Sequence, residues 1–118
     1  MKNFDPTVLS LFIGTERYYR ISRTHLITDG AKYLADNAEC YWLLDATTSH
    51  LMEIGTNDWF VLATLTFKDS RATLVYSDGD GNELARQQIP FTDFPTDEIK
   101  LYCCFDGEHW VTMLPSEY

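Results

Sequence analysis

The sequence predicts an α+β fold: an antiparallel five-stranded meander covered on one face by a helix, with a short N-terminal helix and a small hairpin. Two observations carry that expectation. Five stretches rich in β-branched and aromatic residues follow one another closely over 59–67, 72–76, 84–89, 99–105 and 110–114. They are joined by KDSR, SDGDGN, the Phe94-Pro95 bend and DGE, all turn-like compositions. Before them, CYWLLDATTSHLMEI over 40–54 places Leu44, Leu51 and Ile54 at three-to-four spacing, broadened by Tyr41 and Thr48. That is the period of a helix.

Each element has a local reason. Asp5 can cap free backbone N–H groups while Pro6 occupies the first turn, so a short helix runs from there to about Phe12 and stops at Gly14. Next comes Arg17-Tyr18-Tyr19-Arg20-Ile21-Ser22-Arg23, rich in β-formers and free of acids. His25-Leu-Ile-Thr28 and 31–35 read as two short strands around an Asp29-Gly30 turn, with a helix beginning near Lys32 as the competing reading. Gly55 supplies the stop of the 40–54 helix. The closely linked strands beyond it should pair as antiparallel neighbours, because a parallel pair needs a longer crossover. Alternation of Leu65, Phe67, Leu74 and Tyr76 gives the sheet one apolar face, for which the helix is the cover.

At 118 residues, with 45% apolar and 14% aromatic side chains, the chain is expected to form one domain over 1–118 with one core. No internal repeat, low-complexity run or linker divides it. Eighteen acids against nine bases give a net charge of −9, which disfavours direct nucleic-acid binding and suits docking on a basic protein partner. The acidity is mostly C-terminal: from Asp78 onward nine acids stand against only Arg86 and Lys100. The N-terminal apolar run of about five residues is too short for a signal-peptide core or a membrane span. Cys40, Cys103 and Cys104, odd in number and with two adjacent, suit reduced thiols in a cytoplasm.

FIGTERYYR, TDGAKYLAD, CYWLLD, FTDFP and the terminal LPSEY together resemble an uncharacterised family of small acidic bacterial proteins, a domain of unknown function. The likeness runs from about Phe12 to Tyr118. It implies a bacterial, cytoplasmic, single-domain protein, often encoded on mobile elements, and brings no catalytic residue with it.

Candidate sites are few. VYSDGDGNEL sets Asp78, Asp80 and Asn82 at alternate positions, as a calcium loop begins. Such a loop needs glycine at position 6 and glutamate at position 12, where this chain has Glu83 and Ile89. A hairpin tip is the better reading, and neither metal nor cofactor is expected. Cys103 and Cys104 on one strand point to opposite faces and cannot chelate one ion together. His25, His50 and His109 belong to no motif, and there is no nucleophile elbow or phosphate loop. No catalytic residue is therefore assigned.

Two surfaces stand out. Arg17, Tyr18, Arg20 and Arg23 form the one local positive block, and arginine forks beside aromatic rings can hold a phosphate, a carboxylate or a base. With Tyr33 and Trp42 they are the candidate ligand or partner patch, and a pocket between helix and sheet lined by Tyr18, Arg20, Tyr33 and Trp42 is the alternative function. Asp78, Asp80, Asp93, Asp97 and Asp106 are the candidate acidic surface. The leading expectation is a non-enzymatic interaction module, a mobile-element accessory acting on a basic protein through the acidic half. A sharper version, mimicry of nucleic-acid charge, requires those five carboxylates in a row on one face.

Overall fold

The computed structural model describes residues 6–118. A 3-10 helix at Pro6–Leu11 opens the described chain, and Asp5, expected to cap it, lies outside those residues. Strands β1 (Tyr18–Ser22) and β2 (His25–Thr28) follow, then helices α1 (Asp29–Asn37) and α2 (Tyr41–Ile54). Strands β3 (Phe60–Lys68), β4 (Arg71–Ser77), β5 (Glu83–Ile89), β6 (Glu98–Phe105) and β7 (Trp110–Met113) complete the sheet, and a 3-10 turn at Pro115–Glu117 closes the chain.

The class is α+β, but the sheet is mixed and seven-stranded, in the order β1-β2-β7-β6-β3-β4-β5. The expected five-stranded meander is therefore corrected. β3, β4 and β5 form the antiparallel run expected, but β6 crosses to pair with β3 on its other side. β7 then pairs antiparallel with β6 and parallel with β2. Side-chain composition explains the crossing. β5, ELARQQI, exposes Glu83, Arg86, Gln87 and Gln88 and ends at Pro90, all features of an edge strand. β6 carries Leu101 and Cys103 on one face and Tyr102 and Cys104 on the other, and an interior place suits a strand apolar on both sides. The link 90–97 makes the crossing. It is tied to the β3–β4 end by Thr92 N–H to Ser70 O at 3.0 Å and Phe67 N–H to Asp97 O at 2.7 Å.

A second correction concerns 29–35. Instead of a turn between two strands, Asp29-Gly30 opens α1, and β2 pairs with β1. Thr28 caps the helix, its hydroxyl accepting from Ala31 N–H at 3.2 Å, and Asp29 supplies a negative charge in the first turn. Ala31, Leu34 and Ala35 are fully buried at helical spacing. The competing reading, a helix near Lys32, is the one observed, and it begins three residues earlier, at Asp29.

Both helices lie on one face of the sheet, α1 over β2 and β7 and α2 toward β5. Leu43, Leu44, Thr47 and Leu51 are the buried face of α2, so the helix is rotated from the expected face and Tyr41 is exposed. Opposite them Val61, Ala63, Leu65, Leu74, Tyr76, Leu101 and Cys103 fill the core. Gly55 ends α2 at φ +82°, a conformation in which glycine alone is unstrained.

Candidate interaction site

Residues directly opposite one another across a sheet point to the same face, so the register maps the side away from the helices. One row there runs Phe60, Cys104, Val111, Leu26 and Arg20, across β3, β6, β7, β2 and β1. The next runs Ser77, Leu62, Tyr102 and Met113. The row beyond, Arg86, Val75, Thr64 and Lys100, is already mixed, and Gln88, Thr73, Thr66 and Glu98 are polar. A sheet with one covered face ordinarily turns polar side chains outward. Here Leu26 of β2, Val111 and Met113 of β7, Tyr102 and Cys104 in the second half of β6, and Phe60 and Leu62 at the start of β3 make that part of the outer face apolar, and no element of the described chain covers it.

Aromatic rings close one end of this surface. Phe60 meets Tyr102 at 5.1 Å and Tyr118 at 5.7 Å between centroids, edge to face, and Tyr102 meets Tyr118 at 5.3 Å. Trp59 lies 5.7 Å from Phe60. Trp59 and Tyr118 are 60% and 64% exposed. Two adjoining concavities share them. One, of about 460 Å3, is lined by the four rings, Asp58 and Asp80. The other, of about 630 Å3, runs along Leu26, Val111 and Met113 to Tyr18 and is bordered by Asp106 and Glu117. An apolar floor results, bordered by carboxylates around the two concavities and by Arg20 at the β1 edge.

The sequence-predicted residues are distributed as follows. Tyr18 borders the second concavity, while Tyr33 lines a different one, of about 750 Å3, between the segment 11–16 and α1. Trp42 packs edge-on against Phe94 at 6.4 Å, beside the β5–β6 link. Arg20 donates from Nη1 to the Ser22 and Arg23 carbonyls at 3.4 and 2.7 Å, and Arg17 uses its backbone N–H on the Asp29 carboxylate at 3.3 Å. The positive block therefore dresses the exposed edge strand β1, where arginines discourage pairing with a foreign strand. Arg17, Tyr18, Arg20, Arg23, Tyr33 and Trp42 do not converge. In the 750 Å3 concavity Lys32 pairs with Asp36 at 2.8 Å, and Asp29 accepts from Glu16 N–H at 2.9 Å.

Asp78, Asp80 and Asp106 lie in the β4–β5 and β6–β7 turns, at the end of the sheet where β3 begins. Asp93 and Asp97 lie in the link at the opposite end. The five do not form the row that charge mimicry requires. Asp78 serves its own loop: Oδ1 accepts from Asp80 N–H and Asn82 N–H at 2.8 and 2.9 Å, and Oδ2 accepts from Asn82 Nδ2 at 3.0 Å. These bonds, led by the Asn82 side chain, hold its carboxyl below the ordinary value. The hairpin reading is thus the one observed. Asp106 is likewise held low by the His109 and Glu108 N–H groups, at 2.7 and 2.9 Å. Asp58 and Asp80, by contrast, offer carboxylates that neither accept a hydrogen bond from nor pair with any described residue.

Cys103 faces the core, accepting from Thr112 Oγ1 at 3.6 Å, and burial pushes its thiol up to about 12. Cys104 faces the outer surface, its thiol raised by partial burial. Sequence reasoning did not single out Asp58, Trp59, Phe60, Tyr102 or Tyr118. The signal was available: FVLA in β3 and LYCC in β6 are apolar in both registers of the alternation.

A family described as a family of unknown function (DUF6876) matches residues 6–118. No curated protein matches the sequence. The chain is similar in fold to a crystal structure of a protein of unknown function from Enterococcus faecalis, with TM-score 0.61 and 15% identity over 84% of this chain and 93% of that one.

Proposed function

Since the chain belongs to the family of unknown function DUF6876, we propose from its own surface chemistry that it is a non-enzymatic interaction module whose uncovered sheet face docks a basic protein partner. The observation that supports this is the pair of outward apolar rows across β3, β6, β7 and β2, with exposed rings at one end and carboxylates at the border. Burying such a face returns the hydrophobic free energy that solvent exposure withholds, about 25 cal/mol per Å2. Exposed aromatic residues are the side chains on which interface energy concentrates.

Charge selects the occupant. Asp58, Asp80, Asp106 and Glu117 border the apolar floor, and the chain carries a net charge of −9. A second copy placed face to face would set acidic borders against each other, whereas a basic partner complements them and is steered in from solution. No helix of the described residues is long and apolar enough to cross a membrane. We place the protein in the bacterial cytoplasm as an accessory of mobile DNA, the setting that its sequence resemblance implies. A second reading, a small-ligand protein using the concavity beside Tyr33, is less favoured because the cation lining that site, Lys32, is already paired with Asp36.

The test is affinity capture from a bacterial lysate at low and high salt with the wild type and with a Trp59→Ala/Tyr118→Ala variant of unchanged circular dichroism. The expected result is a basic protein held by the wild type at low salt, released at high salt and absent from the variant. Capture that is salt-insensitive, or equal for the variant, would overturn the proposal.

A further inference from the structure

The smaller of the two concavities has a composition more specific than a docking surface needs. Its walls are Trp59, Phe60, Tyr102 and Tyr118, and its other side chains are the carboxylates of Asp58 and Asp80. The rings are steeply inclined to one another, at 60° for Trp59–Phe60, 75° for Phe60–Tyr102 and 80° for Tyr102–Tyr118. Phe60, Tyr102 and Tyr118 meet edge to face, so each edge takes part of a neighbour's face, and the face area left to the pocket belongs mainly to Trp59 and Tyr118, 60% and 64% exposed. Exposed π faces beside a space of about 460 Å3 attract a cation through the ring quadrupoles, and the effect grows as the cation sheds water. Two carboxylates without partners among the described residues add full charges of the complementary sign. A neutral apolar ligand would gain nothing from them, and an anion would be repelled.

We infer that this pocket binds an alkylammonium cation, with the nitrogen over the exposed Trp59 and Tyr118 rings and the carboxylates of Asp58 and Asp80 neutralising it. The inference rests on the proposed docking function, in which the cation is a lysine side chain of the basic partner. A free amine offers the same chemistry, and the experiment separates the two sources. Elements distant in sequence build the pocket: the residues before β3, the β4–β5 turn, the middle of β6 and Tyr118.

The test follows the Trp59 indole N–H in 1H–15N spectra, with the Trp42 and Trp110 indoles as internal controls. Choline is titrated against its neutral isostere, 3,3-dimethylbutan-1-ol, and a capped single-lysine peptide is titrated against n-butylammonium. The inference expects a saturable shift of Trp59 alone, with choline binding about tenfold more tightly than the isostere. It also expects a clear weakening in Asp58→Asn/Asp80→Asn. Stronger binding of the peptide than of n-butylammonium, which has the same headgroup, identifies a protein side chain as the source, and the reverse order a free amine. Equal shifts from choline and its isostere, or unchanged choline binding in the double Asn variant, would overturn the inference. If it falls while the Trp59→Ala/Tyr118→Ala variant still loses its partner, the docking function stands alone. If choline binds selectively and partner capture ignores the ring substitutions, the pocket stands and the docking reading falls.

Discussion

The Glu117 carboxylate accepts a hydrogen bond from the Thr28 hydroxyl at 2.6 Å, across 89 positions of sequence. The same carboxylate takes Gly30 N–H and Leu114 N–H, each at 3.0 Å. One side chain therefore joins the last turn of the chain to the N-terminus of α1, where a negative charge also meets the positive end of the helix dipole. Glu117→Ala removes three bonds to a charged acceptor and should cost about 2–3 kcal/mol, while Glu117→Gln, which retains one acceptor oxygen, should cost less. Urea midpoints at constant slope check this.

Gly30 is placed by the same contact. A Cβ there would meet the Glu117 carboxylate and lie 2.7 Å from Leu114 Cδ1. Gly30→Ala should therefore destabilise by about 1–3 kcal/mol, as overpacking does, although alanine is the better helix former. Part of that cost should vanish in a Glu117→Ala background, a non-additivity that a double-mutant cycle measures directly.

These two residues also show what the sequence could and could not disclose. α2, the strands from β3 to β7 and the Asp78 turn follow from local period and turn chemistry, and each was legible. Asp29-Gly30 was legible only as the competing helix near Lys32, because Asp-Gly also suits a hairpin turn and the Glu117 carboxylate that accepts from Gly30 N–H comes from the far end of the chain. Strand order was not legible from linker length alone: β6 leaves β5 because β5 is an edge strand in composition and β6 an interior one. The outer face escaped notice for a related reason. Phe60, Tyr102 and Tyr118 are neighbours only once β6 pairs with β3.

The β3–β4 turn contains two residues in the left-handed region, Asp69 at φ 54° and Ser70 at φ 64°. Between Lys68 and Arg71, paired across the strands, that is the two-residue hairpin connection that prefers Asn-Gly. Serine carries a Cβ penalty there of about 1 kcal/mol. Ser70→Gly should raise thermal stability by up to that amount despite the added entropy of the unfolded chain. A fall in the thermal midpoint would show that the Ser70 side chain has a role beyond the turn.

Tyr76 is fully buried beneath α2, its hydroxyl 3.1 Å from Thr47 Oγ1. Burial pushes the phenol above its ordinary value, so it stays protonated and available as donor or acceptor. Tyr76→Phe leaves the buried Thr47 hydroxyl without this partner and should cost about 1–2 kcal/mol. Thr47→Val should cost a similar amount, and the two together less than the sum. An additive pair would mean that the hydroxyls do not interact.

His25 gives the stability a pH dependence whose sign is fixed by its burial. Nδ1 lies 3.0 Å from Ser22 Oγ and 2.9 Å from Thr24 Oγ1, while Nε2 is buried with no partner among the described residues. Desolvation lowers the native pKa below the ordinary 6.5. In the window between the two values the unfolded chain binds more protons than the native one, so stability falls as pH drops through 6.5 toward the native value. Below that value this contribution is constant. The carboxyls of Asp29, Asp78, Glu83 and Asp106, all held low in the native state, then begin a separate loss as pH falls through about 4. Urea midpoints measured from pH 8 to 5 should therefore decline, and His25→Gln, which can still hydrogen-bond Ser22 and Thr24 but does not titrate, should flatten that decline. An unchanged slope in the variant would assign the upper limb to another group, because the carboxyls titrate too low to produce it.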